Sequence, residues 1–170
     1  MSYLKKDSNT VSQNQSETAV HLKDVKLTLN NTAGQVKILR GLSLDIAQGE
    51  SVGIVGPSGG GKSTMMMVIA GLERISSGVI KTAGIDLTLL NEDELACFRR
   101  NNIGIVFQDF HLIPTMTAHE NVAVPLEFSG IENAVDLAKE QLNAVGLNHR
   151  LTHYPSQLSG GEQQRVALAR

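Results

Sequence analysis

Ser51-Val52-Gly53-Ile54-Val55 runs into Gly56-Pro57-Ser58-Gly59-Gly60-Gly61-Lys62-Ser63-Thr64 and on through Met65-Met66-Met67-Val68-Ile69-Ala70-Gly71-Leu72. A short apolar run of buried-strand type, a glycine-rich loop and an apolar helix from Ser63 to Leu72 follow in the order that begins a βαβ unit. The loop satisfies G-x-x-x-x-G-K-[ST] in the context that gives this pattern its meaning. Glycines allow consecutive backbone N–H groups to curl into a nest for phosphate oxygens, and the helix that follows aims its positive end at them. Lys62 is placed to reach the β- and γ-phosphates of a nucleotide, and the Ser63 hydroxyl to complete a magnesium shell. The alternative, a flexible strand-to-helix turn with a surface lysine, does not require this spacing.

Toward the N-terminus, Gln48-Gly49-Glu50 is a turn, and before it the pattern alternates: Val20, Leu22, then Val25, Leu27 and Leu29, then Val36 to Leu39, then Leu42 to Ile46. Period two with turn-prone residues from Asn30 to Gln35 predicts an antiparallel β region. The first 18 residues are polar apart from a few positions and cannot bury enough apolar surface to offset ordering, which predicts a mobile leader.

Toward the C-terminus, strands are expected at Val79 to Ala83 and Ile103 to Phe107, with Gln108 at the end of the latter. Asn91-Glu92-Asp93-Glu94 and Thr117-Ala118-His119-Glu120 are capping boxes that open helices. Ala134, Leu137, Ala138, Leu142 and Val145 fall at helical spacing before Gly146 stops the helix. Leu158-Ser159-Gly160-Gly161-Glu162-Gln163-Gln164 opens another. Physically it is a second anion site, a Ser hydroxyl and two Cβ-free amides at a helix N-terminus, although taken alone it also fits an ordinary Ser N-cap.

Composition narrows the partners. Fifteen Lys and Arg against 17 Asp and Glu give a net charge of −2, with no basic block to serve nucleic acid or an anionic membrane. A single cysteine, Cys97, excludes an internal disulfide and fits a reducing compartment. The longest apolar run, Met65 to Leu72, is far short of the roughly 20 residues of a membrane span, and no secretory h-region follows Lys5 and Lys6. A cytoplasmic protein is expected. The histidines lack metal-site spacing apart from His149 and His153, and Tyr154-Pro155 disrupts the helix such a pair would need. Met65 to Met67 is expected to be helix packing beside the loop.

The loop alone does not say what happens to the nucleotide. The Asn-Lys-x-Asp and Asp-x-x-Gly strings of a GTPase are missing, and no arginine-bearing lid of a small-molecule kinase is evident. With Leu158 to Gln164 as its second motif, the sequence resembles the ATP-binding subunit of ABC transporters. Gly56 to Thr64 matches the Walker A of that family, Phe107-Gln108 its Q-loop and Leu158 to Gln164 its signature. Within it, Ile103 to Pro114 and Thr117 to Val122 are similar to the lipoprotein-release and macrolide-export branch.

The resemblance implies an α/β P-loop fold: a RecA-like core with an antiparallel β flank and Walker A and Q-loop over residues 19–109, a helical subdomain over 110–157, and the signature with the start of its helix over 158–170. It implies ATP and Mg2+ as ligands, with Gly56, Pro57, Ser58, Gly59, Gly60, Gly61, Lys62, Ser63 and Thr64 on the chain's own nucleotide. Gln108 joins Ser63 near the metal, and Lys62 and Gln108 serve catalysis. Ser159, Gly160 and Gly161 would touch the ATP held by a second copy, in a head-to-tail dimer. The remaining partner implied is a membrane-spanning permease, which places the protein on the cytoplasmic face of the inner membrane as a motor for export or lipid extraction.

Three features depart from the family pattern. Leu29 stands about where an aromatic residue usually stacks on adenine, and neither Tyr3 nor Tyr154 is placed by sequence to replace it. Gly60 occupies a usual serine position, a change expected to add flexibility. The strand of apolar residues closing on Asp-Glu, and the later switch histidine, do not occur within these 170 residues. Truncation before that strand, an incomplete parallel sheet and a polypeptide unable to turn over ATP at a family-like rate are the expectations. A non-catalytic nucleotide-binding or interaction module ending near Arg170 is the alternative, and a soluble P-loop kinase a third.

Overall fold

The computed structural model describes residues 18–31 and 34–170. The chain divides into two compact units, one ending at Ile103 and one spanning Gly104–Arg170. The expected leader and Tyr3 lie outside the described residues, except Thr18, which opens the first strand.

The first unit is built on a four-stranded antiparallel sheet. Strands β1 (Thr18–Asn31) and β2 (Gly34–Ala47) form a long hairpin, β3 (Ser77–Thr82) pairs with the other edge of β1, and the short β4 (Ile85–Asp86) pairs with β3, giving the order β2-β1-β3-β4. The segments Val36–Leu39 and Leu42–Ile46 thus belong to one strand, interrupted by a bulge: Val25 faces Leu42 and Lys26 faces Arg40, leaving Gly41 unpaired at φ +100°. A second bulge, in β1, explains why the inward positions jump from Leu22 to Val25. Asp24 turns to φ +47° there, and the register with β3 slips between Lys23 and Lys26. Opposite it, Gly78 at φ +108° lets the two backbones meet, since a Cβ at this position would lie 2.6 Å from the Asp24 carbonyl oxygen.

Helix α1 (Lys62–Ile69) stops three residues short of the expected Leu72. Gly71 at φ +69° closes it, its N–H donating to Val68 O and that of Leu72 to Met67 O, the paired bonds of a Schellman motif. Of the three methionines only Met65 is buried; Met66 and Met67 are exposed. Helix α2 (Glu92–Asn102) starts at the Asn91–Glu94 capping box and buries Leu95 and Phe98 against Leu22, Val25, Leu27, Val68 and Ile80. Cys97 is exposed on this helix.

Two expected strands are corrected. Ser51–Val55 and Ile103–Phe107 are not strands, and neither has a ladder partner among the described residues. A strand of this apolar type depends on hydrogen-bonded neighbours and on cover over both faces. Without them Ser51–Val55 is a loop in which Val55 is 93% exposed. The sheet that is present is antiparallel throughout.

The second unit is helical. Helices α3 (Ala118–Phe128), α4 (Ala134–Ala144) and α5 (Gly160–Ala169) pack around Val122, Ala138, Leu142, Leu147 and Val166. The Thr117–Glu120 capping box opens α3 as expected. Helix α4 ends in a second Schellman motif, with Gly146 N–H on Asn143 O and Leu147 N–H on Leu142 O, and Leu147 is wholly buried beneath it. Short 3-10 turns at Asn148–Arg150 and Pro155–Gln157 lead into α5.

Candidate nucleotide-binding site

The glycine-rich loop bends by its own chemistry. Gly60 N–H closes a turn on Pro57 O at 3.2 Å, Gly59 takes φ +75°, and Gly61 takes φ +82° as the cap residue of α1. Gly61 is also the point of closest approach to β2: a Cβ would stand 3.3 Å from Ile38 O and 3.4 Å from Leu39 Cδ2. Gly60 is not simply a source of flexibility. Its Cβ position is 3.0 Å from Pro57 O, so a side chain there presses on the turn.

Helix α1 presents the amides of Lys62, Ser63 and Thr64, which have no acceptor within the helix; the next amide, of Met65, bonds to Gly61 O at 2.8 Å. No carboxylate occupies the first turn of α1, so no acidic side chain of the helix itself offsets its positive end. Lys62 Nζ donates to Gly56 O at 2.9 Å and Pro57 O at 2.7 Å, bracing the loop across its mouth. The loop borders an open cleft of about 660 Å³ whose other wall is β2 from Val36 to Leu42. Val36 lines it, whereas Leu29, its partner across the hairpin, is not among the described lining residues. Tyr154 lies exposed in the helical unit.

The residues expected to form a second anion site lie at the start of α5. Ser159 caps the helix, its Oγ accepting the Glu162 N–H at 3.3 Å while its own N–H donates to Glu162 Oε2 at 2.8 Å. Glu162 N–H is thereby used and Gln163 N–H donates to Ser159 O at 2.9 Å, which leaves the Gly160 and Gly161 amides, on exposed residues, without an acceptor in the helix. The Ser159 backbone N–H, then its hydroxyl, then Arg150 hold the Glu162 carboxyl down at about 2. Arg150 Nε donates to Glu162 Oε1 at 2.9 Å, and Arg150 Nη1 stands 3.1 Å from His153 Nε2. His149 and His153 therefore do not form a pair: the former belongs to a 3-10 turn and the latter faces a guanidinium.

Gln108 follows in the helical unit as an exposed side chain, in a turn where Phe107 stacks edge-on to His111 at 5.0 Å between ring centres. Phe110 and His111 both take positive φ, and Arg170 holds them by donating from Nη2 to Phe110 O at 3.1 Å and from Nη1 to His111 O at 2.8 Å. The residue that caps the C-terminus of α5 thus clasps the loop after Gln108, a contact 60 residues apart that no sequence pattern announces. Further along, Asn121 is 1% exposed and ties up the Ile113–Thr117 loop, accepting from Ile113 N–H and donating to the carbonyls of Ile113, Met116 and Thr117. A polar residue amid the apolar positions of α3 was the available signal for it. Arg150 gave none, because its partner lies 12 residues away across a turn.

Among the described residues no three His, Cys, Asp or Glu side chains gather as a metal group, and no helix is long and apolar enough to cross a membrane.

Comparison with known proteins identifies the family. The family model described as ABC transporter matches residues 39–170. The macrolide export ATP-binding/permease protein MacB of Escherichia coli K12 is 45% identical over 153 residues, covering 89% of this chain and 24% of that protein. Its Shigella flexneri counterpart is 44% identical over the same length. The chain therefore spans about a quarter of the length of these curated relatives. Among solved structures, the dimeric post-hydrolysis state of the ATP-binding cassette MJ0796 bound to ADP and Pi superposes with a TM-score of 0.81 at 42% identity, over 88% of this chain and 67% of that one. A second dimeric structure of the same bacterial ABC transporter cassette gives the same values. On these grounds the chain belongs to the ABC transporter family, as an ATP-binding cassette with the α/β P-loop fold of its structural neighbours.

Proposed function

We propose that this cassette is the ATP-binding and ATP-hydrolysing motor of a transporter of the export or lipid-extraction type, coupling nucleotide-driven closure of two cassettes to a membrane-spanning permease. The observation that carries the proposal is the presence, on one chain, of two helix N-termini with free amides: α1 behind the glycine loop and α5 behind Ser159. One nucleotide needs only the first. A second copy, supplying the Ser159 end to the phosphates held by the loop, gives both a use. The dimeric cassettes among the solved relatives support this arrangement.

In this reading Gly56 to Thr64 cradle the phosphates. Lys62 exchanges its bonds to Gly56 O and Pro57 O for the β- and γ-phosphate oxygens. Ser63, at the start of α1, and Gln108 offer a hydroxyl and an amide oxygen, hard donors suited to Mg2+, which when bound would neutralise phosphate charge. Ser159, Gly160 and Gly161 serve the partner's nucleotide. Gln108 is assigned to the attacking water, and the Arg170-clasped loop after it to the permease side. The cytoplasmic face of the inner membrane is the site this function requires, and the export relatives support that direction of transport.

Phosphoryl transfer depends on positioned charge, and residues 1–170 contain no apolar run closing on Asp-Glu. The 170-residue polypeptide on its own is accordingly expected to bind ATP with little turnover. The test uses the two sites separately. Lys62→Ala should weaken ATP binding itself, whereas Ser159→Ala should leave single-chain ATP binding nearly intact and abolish ATP-driven self-association. Equal loss of binding from both variants would sink the composite site.

A further inference from the structure

The segment after Gln108 is held in a conformation that its residue types disfavour. Phe110 N–H closes a turn on Phe107 O at 3.1 Å, with Gln108 and Asp109 at its corners, and His111 N–H folds back onto Asp109 O at 2.6 Å. Phe110 and His111 stand at φ +57° and +47°, in the left-handed region. A bulky side chain there is a backbone outlier that persists only where its surroundings impose it. Two anchors do so. Downstream, Leu112 packs on the core of the helical unit, and Ile113 N–H donates to the buried Asn121 Oδ1 at 2.7 Å. From the other side, the half-buried Arg170 donates through Nη1 to His111 O at 2.8 Å and through Nη2 to Phe110 O at 3.1 Å. The guanidinium is planar, so one fork fixes both carbonyls at once, and with them the turn that carries Gln108. Arg170 is itself fixed to α5, its N–H bonded to Val166 O at 3.1 Å. Gln108 is exposed, so the turn sets where its amide stands.

We propose that Arg170 is a positioning residue for Gln108: its two bonds hold Phe110 and His111 in the left-handed region and so keep the Gln108 amide oxygen poised for the Mg2+ of bound nucleotide. The inference rests on the assignment of Gln108 proposed above. Phosphoryl transfer depends on placement, and a misplacement of about 1 Å by a change far from the chemistry costs more than the contact that was lost. Without the guanidinium the two residues relax toward negative φ, the Phe107–Phe110 turn opens, and Gln108 loses its fixed place. A lysine at the same position supplies a point donor in place of the fork and holds one carbonyl at a time.

The test is made on the full-length protein, with Mg2+ titrated at fixed ATP. The readout is the Mg2+ concentration that gives half-maximal ATP binding, with ATP affinity in EDTA and the melting temperature recorded for each variant. Arg170→Ala is expected to raise the half-saturating Mg2+ about tenfold, as for loss of a residue that orients a metal ligand, and to change metal-free ATP affinity by less than about twofold. Arg170→Lys should fall between Arg170→Ala and the wild type. Gln108→Ala should raise the requirement as much or more. In that background Arg170→Ala should add less than about twofold, because a residue that acts through Gln108 has nothing left to position. His111→Gly, which removes the cost of positive φ at an exposed residue, should recover part of the Arg170→Ala loss. A normal Mg2+ requirement in Arg170→Ala, beside a raised one in Gln108→Ala, overturns the role of Arg170 and leaves the assignment of Gln108 standing. A normal requirement in Gln108→Ala overturns that assignment and the inference with it. An undiminished effect of Arg170→Ala in the Gln108→Ala background means that the arginine acts independently of the glutamine, and also overturns the proposal. If Arg170→Ala does not fold, Arg170→Lys carries the same comparisons.

Discussion

Gly61→Ala separates two reasons for a glycine in the phosphate loop. The residue has φ +82°, and a Cβ there would meet Ile38 O at 3.3 Å and Leu39 Cδ2 at 3.4 Å. Gly59, two residues earlier, has a similar φ of +75°, but its Cβ would meet nothing within 4 Å. Alanine in the left-handed region costs about 1–2 kcal/mol at either position. At Gly61 the contact atom is a strand carbonyl of β2, whose ladder neighbours Lys37 and Leu39 are paired with Thr28 and Leu27, so it cannot yield cheaply. Crowding of this kind adds ~1 kcal/mol or more. Movement of the loop away from β2 relieves the strain, and in the proposed site it is read as lost nucleotide affinity. Gly59→Ala should weaken ATP binding about 5- to 30-fold, and Gly61→Ala by at least a further fivefold or so. Titration of a fluorescent ATP analogue into each variant, with melting temperatures as a control on folding, reads the difference. Equal losses in the two variants would refute the claim that β2 confines the loop.

Other consequences follow from individual contacts. Gly78→Ala drives a Cβ to 2.6 Å from the Asp24 carbonyl and should destabilise the β unit by about 3 kcal/mol or more, against about 1 kcal/mol for Gly84→Ala, where φ is +76° and space is open; denaturant titration of both variants checks the gap. Asn121→Ala strands the Ile113 amide and its neighbouring carbonyls and should cost about 2–4 kcal/mol, read by thermal melting of the helical unit, with wild-type stability counting against a structural role. Glu162 has a folded-state pKa of about 2, below its ordinary 4.5, so its contribution is present above pH 4.5 and fades as pH falls toward 2. Glu162→Gln should flatten the acid loss of helix signal over that window; identical profiles for variant and wild type would contradict the assignment. The Glu120 carboxyl is also lowered, first by the Thr117 backbone N–H, so Glu120→Gln is the matching control.

What the sequence determined by itself is local. The loop from Gly56 to Thr64, the caps at Asn91, Thr117 and Ser159, and the stop at Gly146 all close their hydrogen bonds within a few residues. Four or five adjacent side chains therefore carry the whole instruction, and the family resemblance rests on the same short strings. The antiparallel hairpin was legible from its period of two, but its continuity through Gly41 was not, because a bulge is set by what faces it. Tertiary structure alone decided that Asp24 turns beneath Gly78, that Arg150 holds Glu162 and that Arg170 clasps the loop after Gln108. It likewise decided against strands at Ser51–Val55 and Ile103–Phe107. An apolar run states only that burial is favourable; whether it becomes a strand depends on a neighbour with free N–H and C=O groups at ladder distance, and that neighbour is chosen by the fold.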